Sequence, residues 1–260
     1  MKISTLLAAL TLVGALQLTA SAQYVPTAYF VDPALPGTTQ FDKWDALTAG
    51  SNPGYPGFPG TGAWPAPIGS NAAGSDDAGL MKIANGTGGA PYPAGGSLYY
   101  GGFSGDINNN GGRLAVQDST PVADLANVVF QLDIGEAWTY DFYNDVMPTL
   151  SYNGGAQNLA ATSNFLLEAV DNGTVTMPTG EETVYINTYL LQWDLSAIGD
   201  AITSFSIEFN GVQHAQLYGL QLDQSDSYQA VAVPEPATFA LAAVSGMGLI
   251  LRARRRRAAA

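Results

Sequence analysis

Val128-Val129-Phe130-Gln131-Leu132-Asp133-Ile134 alternates along its length. Val128, Phe130, Leu132 and Ile134 face one way, and Gln131 and Asp133 face the other. Successive side chains of a strand point to opposite faces, so this heptapeptide predicts a β-strand with a buried face. Phe205-Ser206-Ile207-Glu208-Phe209 repeats the pattern. Val184–Leu195 is the longest strand candidate, with Tyr185, Tyr189, Leu191 and Trp193 sharing a face. Shorter runs lie at Leu80–Ala84, Ser97–Tyr100, Arg113–Gln117, Phe165–Val170 and Ala215–Leu222.

Turn chemistry separates these runs. Asn153-Gly154-Gly155, Asp171-Asn172-Gly173 and Asn210-Gly211 read as turns, the last joining the final two strands. No stretch of the body keeps a 3.6-residue period, and Asp194–Ile202 has room for one or two helical turns at most. Many short strands and no strong internal repeat predict an all-β fold, an antiparallel β-sandwich of jelly-roll type. The segment before it, Tyr24 to Gly79, is rich in Gly and Pro, which disfavours long strands. Its aromatics Tyr55, Phe58 and Trp64 predict an ordered segment packed on the sandwich.

The two ends read differently. Met1-Lys2 and the apolar run Ile3–Leu18 precede Ala20-Ser21-Ala22, a small-x-small signal-cleavage site at Ala20 and Ala22 that predicts a mature start at Gln23. At the other end Pro234-Glu235-Pro236 precedes an apolar run from Ala237 through Leu241, Val244, Leu249 and Ile250 to Leu251. Arg252, Arg254, Arg255, Arg256 and Arg257 follow. The run is short beside the roughly 17–25 residues of a spanning helix, but flanking arginines extend it by snorkelling. The positive-inside rule then places the arginines in the cytoplasm and everything before Pro234 outside. The expected organisation is a signal peptide (1–22), the Gly/Pro-rich segment (23–79), the sandwich (80–232) and a C-terminal hydrophobic helix with its flanks (233–260).

Together these ends resemble the PEP-CTERM family of sorted bacterial proteins, in which a signal peptide opens the chain and a Pro-Glu-Pro motif, an apolar helix and an arginine cluster close it. The resemblance implies Sec export, transient residence in the inner membrane and processing by an exosortase in a Gram-negative, exopolysaccharide-producing bacterium. It implies a destination at the cell surface or in the matrix. It says nothing of the body's activity.

The body is strongly acidic. Of nine basic residues only Lys43, Lys82 and Arg113 lie between Gln23 and Val233, and of 22 acidic residues only Glu235 lies outside that stretch. The body therefore carries 3 basic and 21 acidic residues, a net charge of −18. Such a surface repels nucleic acid and anionic lipid and attracts cations. With no cysteine there is neither a disulfide nor a thiolate site.

Candidate chemistry is sparse. The single histidine, His214, reads as structural rather than as a triad base. Trp138, Tyr140, Asp141 and Asp145 form the most site-like cluster, since aromatic faces stack on sugar rings and a carboxylate pair is what glycosidases use. Sugar or partner contact is the preferred functional reading of it, ahead of catalysis; Trp64 is a further platform candidate or equally core, and Trp193 reads better as core. Asp106-Ile107-Asn108-Asn109-Asn110-Gly111 matches the first half of a calcium loop through Asp106, Asn108 and Asn110. Position twelve is Gln117, with Asp118 one residue late, so an Asn/Gly turn is the better reading and structural Ca²⁺ the weaker one. Asp76-Asp77 is a second, weaker pair. The expectation is a non-enzymatic structural or adhesive protein without a cofactor, with a carbohydrate-binding module as the alternative and a glycosidase or lyase behind it.

Overall fold

A computed structural model describes residues 29–102 and 105–233 of the chain. The signal-peptide site at Ala20 and Ala22, and the tail from Pro234 onward, lie outside the described residues. In chain order the strands are β1 (Thr39–Trp44), β2 (Ile68–Gly69), β3 (Gly79–Asn85), β4 (Tyr92–Pro93), β5 (Leu98–Tyr99), β6 (Asn110–Asp118) and β7 (Asn127–Gly135). They continue with β8 (Thr149–Tyr152), β9 (Leu159–Ala160), β10 (Ser163–Met177), β11 (Gly180–Asp194), β12 (Phe205–Val212) and β13 (Gln216–Ser225). Two antiparallel sheets form the sandwich. One runs β10-β11-β7-β13-β5-β4, with β1 also paired to β13, and the other runs β2-β3-β6-β12-β8-β9.

The core is where the alternation places it. Val128, Phe130, Leu132 and Ile134 on β7 are fully buried, as are Leu114, Val116 and Ile207 of the facing sheet. The rings of Phe130 and Phe209 meet across the sandwich at 5.8 Å. Each such side chain contributes about 1.5–3 kcal/mol by leaving water.

The other face of β7 departs from the pattern. Val129, Gln131 and Asp133 are also wholly buried, although the alternation assigns the polar pair to solvent. Two terminal segments cover that face. Residues 29–38 reach it from the N-terminal side and residues 226–233 from the C-terminal side. A strand that looks half-buried in sequence is thus buried on both sides: Gln131 bonds to crossing chain, and Asp133 accepts from Thr188 Oγ1 of β11 at 2.7 Å.

Two turn assignments are corrected. Asp171-Asn172-Gly173 does not end a strand: it is a bulge inside β10, where the pairing shifts between Asp171 and Thr174 and Gly173 (φ +100°) donates to Asp171 Oδ1 at 2.8 Å. The hairpin closes instead at Pro178-Thr179, beyond the Met177–Gly180 pair. Asn210-Gly211 likewise lies within β12, and the chain reverses at Gln213-His214, with His214 at φ +74°. Gly211 is required by packing, because a Cβ there would sit 2.7 Å from the Tyr100 ring. Asp194–Ile202 forms no helix, only a turn closed by Ile198 N–H to Leu195 C=O at 2.9 Å. Asn153-Gly154-Gly155 is the expected turn.

The Gly/Pro-rich segment contributes more regular structure than its composition suggests. Its β1 pairs with β13 from Thr39–Ser225 to Trp44–Leu220. Trp44 is fully buried and donates its indole N–H to Ile68 C=O at 2.8 Å. The turns beyond it are tied down by Lys82, whose ammonium donates to the carbonyls of Gly60 (2.5 Å) and Gly89 (2.7 Å). Burial lowers the pKa of that ammonium to about 8.

Candidate functional site

The body holds both of its ends with side-chain amides. A primary amide carries a donor and an acceptor side by side, so it can pair with a passing backbone as a neighbouring strand would. Gln131 does this to Val31, whose N–H donates to Oε1 at 2.9 Å while Nε2 donates to its C=O at 2.9 Å. Gln192 does it to the departing chain. Its Nε2 donates to Gln229 C=O at 2.7 Å, and Val231 N–H donates to its Oε1 at 3.0 Å. The same Nε2 donates to Asn127 Oδ1 at 2.9 Å, and Asn127 Nδ2 reaches Gln229 C=O at 3.4 Å. Gln131, Gln192 and Asn127 are completely buried, which strengthens these bonds and makes their loss costly.

Both ends then reach one groove of about 260 Å³ at the β10 edge of the sheet, where Tyr29 and Val233 line it together with Phe165, Leu166 and Glu168. The expected sorting residues Pro234, Glu235 and Pro236 begin immediately beyond Val233 and lie outside the described residues, as do the apolar run and its arginines.

The Trp138 cluster is split by the fold. Trp138 (φ +50°) is half-buried, its ring 5.0 Å from that of His214 in an edge-to-face contact. Tyr140 is half-buried against the core, and the backbones of Ala137 and Tyr140 exchange hydrogen bonds in a tight loop. Asp141 is buried and fully engaged: Oδ1 accepts from Phe142 N–H at 2.7 Å, and Oδ2 accepts from Tyr189 Oη at 2.7 Å and Asn187 Nδ2 at 3.1 Å. Burial, with the Asp141 charge adding to it, raises the Tyr189 pKa. Asp145, by contrast, is exposed at the end of a single 3₁₀ turn.

A row of rings replaces the local cluster. Trp138 meets His214, His214 meets Tyr99 at 6.0 Å, Tyr99 meets Tyr92 at 5.9 Å, and Tyr92 meets Phe58 at 6.5 Å. The Tyr99 hydroxyl and His214 Nδ1 share a 2.6 Å hydrogen bond, so that nitrogen is paired with a tyrosine rather than with a serine nucleophile. Phe58 is 68% exposed at one end of the row. Trp64 packs edge-on to Tyr55 at 5.5 Å, and Trp193 is buried with its N–H on Leu159 C=O.

In the weak calcium loop the asparagine oxygens serve the chain. Asn108 Oδ1 accepts from Asn144 N–H at 3.0 Å and Asn110 Oδ1 from Gly112 N–H at 2.9 Å, while Asp106 stands at the loop's outer, exposed end. Asp77 accepts from Thr120 Oγ1 at 2.6 Å. Among the described residues no group of three or more acidic or histidine side chains is gathered to hold a metal ion.

Two buried acids escape sequence reading. Asp42 is completely buried, and burial raises its pKa to about 6 against the opposing hydrogen bonds of Ser70 and Ala78. Its Oδ2 makes no hydrogen bond. Asp223, with burial again the main cause, is raised to about 7. It lines a cavity of about 610 Å³ under the N-terminal segment, with Asp32, Gln40 and Gln221.

Fold and ends define a class: a β-sandwich body whose last described residues lead straight into a tail. Residues 232–257 match the family model of the PEP-CTERM protein-sorting motif. The chain therefore carries a PEP-CTERM motif, which implies export and exosortase-dependent sorting to the cell envelope or surface. The match covers the tail and not the sandwich. No curated protein and no solved structure matches the chain.

Proposed function

We propose that this is a structural or adhesive protein of the cell surface or extracellular matrix. Its tail would pause in the inner membrane until an exosortase processes it near Pro234–Pro236. The observation that carries the reading is the sorting motif at residues 232–257, joined to the body by the Gln192 clamp only a few residues upstream. The acidic body, with 21 acidic and 3 basic residues, suits a hydrated polysaccharide matrix in which cations bridge carboxylates. Mass spectrometry of the surface-located protein tests it. The mature form should begin at Gln23 and lack Arg252–Arg257; an intact arginine tail on surface protein refutes exosortase processing.

The row from Phe58 to Trp138 favours a second reading, binding of matrix carbohydrate by ring stacking. Polysaccharide pull-down should then weaken on Phe58→Ala and on Trp138→Ala. Equal retention of both variants sinks this reading and leaves the first untouched.

A further inference from the structure

The groove where both ends emerge is lined by exposed apolar side chains. Leu166 is 55% exposed, Tyr29 42% and Phe165 37%. The cause is local: β10 is the edge strand of its sheet, paired only with β11, so Phe165 and Leu166, in regular register with Leu190 and Tyr189, are exposed from its two sides, and both line the groove. Val233 lines the same groove and is the last described residue. The apolar run starts at Ala237, four residues on. Four extended residues span at most about 14 Å. A bilayer's headgroup layer is roughly 5–8 Å thick on each side. Once Ala237–Leu251 enters a membrane, the groove has no room to stand far from its surface.

We propose that the Tyr29–Phe165–Leu166 face is a membrane-docking surface, which seats the body on the outer leaflet while the tail is still anchored. The proposal rests on the reading that residues 237–251 enter the membrane. Tyr29 supplies an amphipathic ring of the kind that settles at the headgroup level, and Phe165 and Leu166 the apolar contact. Glu168 at the rim and the body's charge of −18 oppose an anionic leaflet, so the surface fits zwitterionic lipid. Pairing of two copies through the same strand is disfavoured. Two bulges interrupt β10, and Glu168 and Asp171 would approach their own equivalents.

The absence of cysteine makes single-site labelling clean. An environment-sensitive fluorophore is placed at Asn164→Cys, exposed and two residues before Leu166, in the mature chain from Gln23 to Ala260. Two reference labels sit at Ala84→Cys, exposed on β3 of the other sheet, and at Thr238→Cys in the tail. Each protein is reconstituted in phosphatidylcholine vesicles containing brominated lipid. The expected result is strong quenching at 164 and 238 and several-fold less at 84. Quenching at 164 should disappear in Phe165→Ser/Leu166→Ser while that at 238 persists. Quenching at 238 without quenching at 164 overturns the docking surface and leaves anchoring intact. No quenching at 238 overturns the anchoring reading and the proposal with it. A label at 164 that is protected only when an exosortase is co-reconstituted assigns the face to that protein and overturns lipid docking.

Discussion

Replacing Gln192 by Leu should release the C-terminal segment while leaving the sandwich folded. Leu keeps most of the buried volume but removes three hydrogen bonds, to Gln229 C=O, Val231 N–H and Asn127 Oδ1. Two of these hold the segment, so at about 1 kcal/mol net for each it loses about 2 kcal/mol of attachment. The loss has a ceiling. Once residues 226–233 lift away, the Gln229 and Val231 backbone groups find water, so the penalty cannot exceed what held the segment down. Hydrogen exchange reads this directly. Protection at Val231 should fall by about 30-fold, since 1.4 kcal/mol is a factor of ten, while amides of β7 and β12 change far less. Limited proteolysis should cut first between Asp226 and Val233. Unchanged protection at Val231 would refute the clamp, and an equal loss across β7 and β12 would show that Gln192 supports the whole sandwich instead.

Other outcomes follow from the buried charges and rings. Asp42 and Asp223 have folded pKa values of about 6 and about 7, above the ordinary aspartate value of 3.8, so the folded state binds more protons than the unfolded one between those limits. The contribution of these two groups is therefore greatest below about pH 4 and falls as pH rises to about 7, by about 3 kcal/mol for Asp42 alone; melting curves should show Tm dropping over that window, with Asp223→Asn flattening the drop, and a Tm that climbs instead contradicts the burial argument. Lys82→Met leaves the Gly60 and Gly89 carbonyls without their shared donor and should cost about 2–3 kcal/mol, read by urea denaturation. Trp138→Ala removes the ring against His214 and should cost about 1–3 kcal/mol, read as a Tm shift alongside polysaccharide retention; a loss of retention without any Tm shift would mean the ring serves the ligand more than the fold.

The sandwich was legible because its signal is local. Val128 to Ile134 and Phe205 to Phe209 each state a strand and a buried face within a few residues. What covers the second face of β7 was not legible, since Gln131 meets Val31 across 100 positions and Gln192 meets Gln229 across 37. An alternating strand with a glutamine on its polar face reads the same whether water or chain lies against that amide. The same limit applies to the aromatic row. Trp138 stands out alone, but Tyr99 and His214 are 115 residues apart and nothing in their spacing foretells a hydrogen bond. Asp171-Asn172-Gly173 misled for the opposite reason. Its turn chemistry is genuine, and β10 used it to bend within a 15-residue strand rather than to end one.

The amide clamps also have a mechanical meaning. A tail held in a membrane or joined to a matrix transmits any tug on it to the body at Val233. From there the chain does not run directly into β13; it first crosses Gln192 and Asn127 through the Val231 and Gln229 backbone groups. A pull is thus spread over these buried amides before it reaches the Ser225 end of β13, much as a cable is gripped where it leaves its housing. Gln131 grips the incoming end at Val31 in the same manner, so a load at either terminus must undo side-chain bonds before it can peel a strand from the sheet.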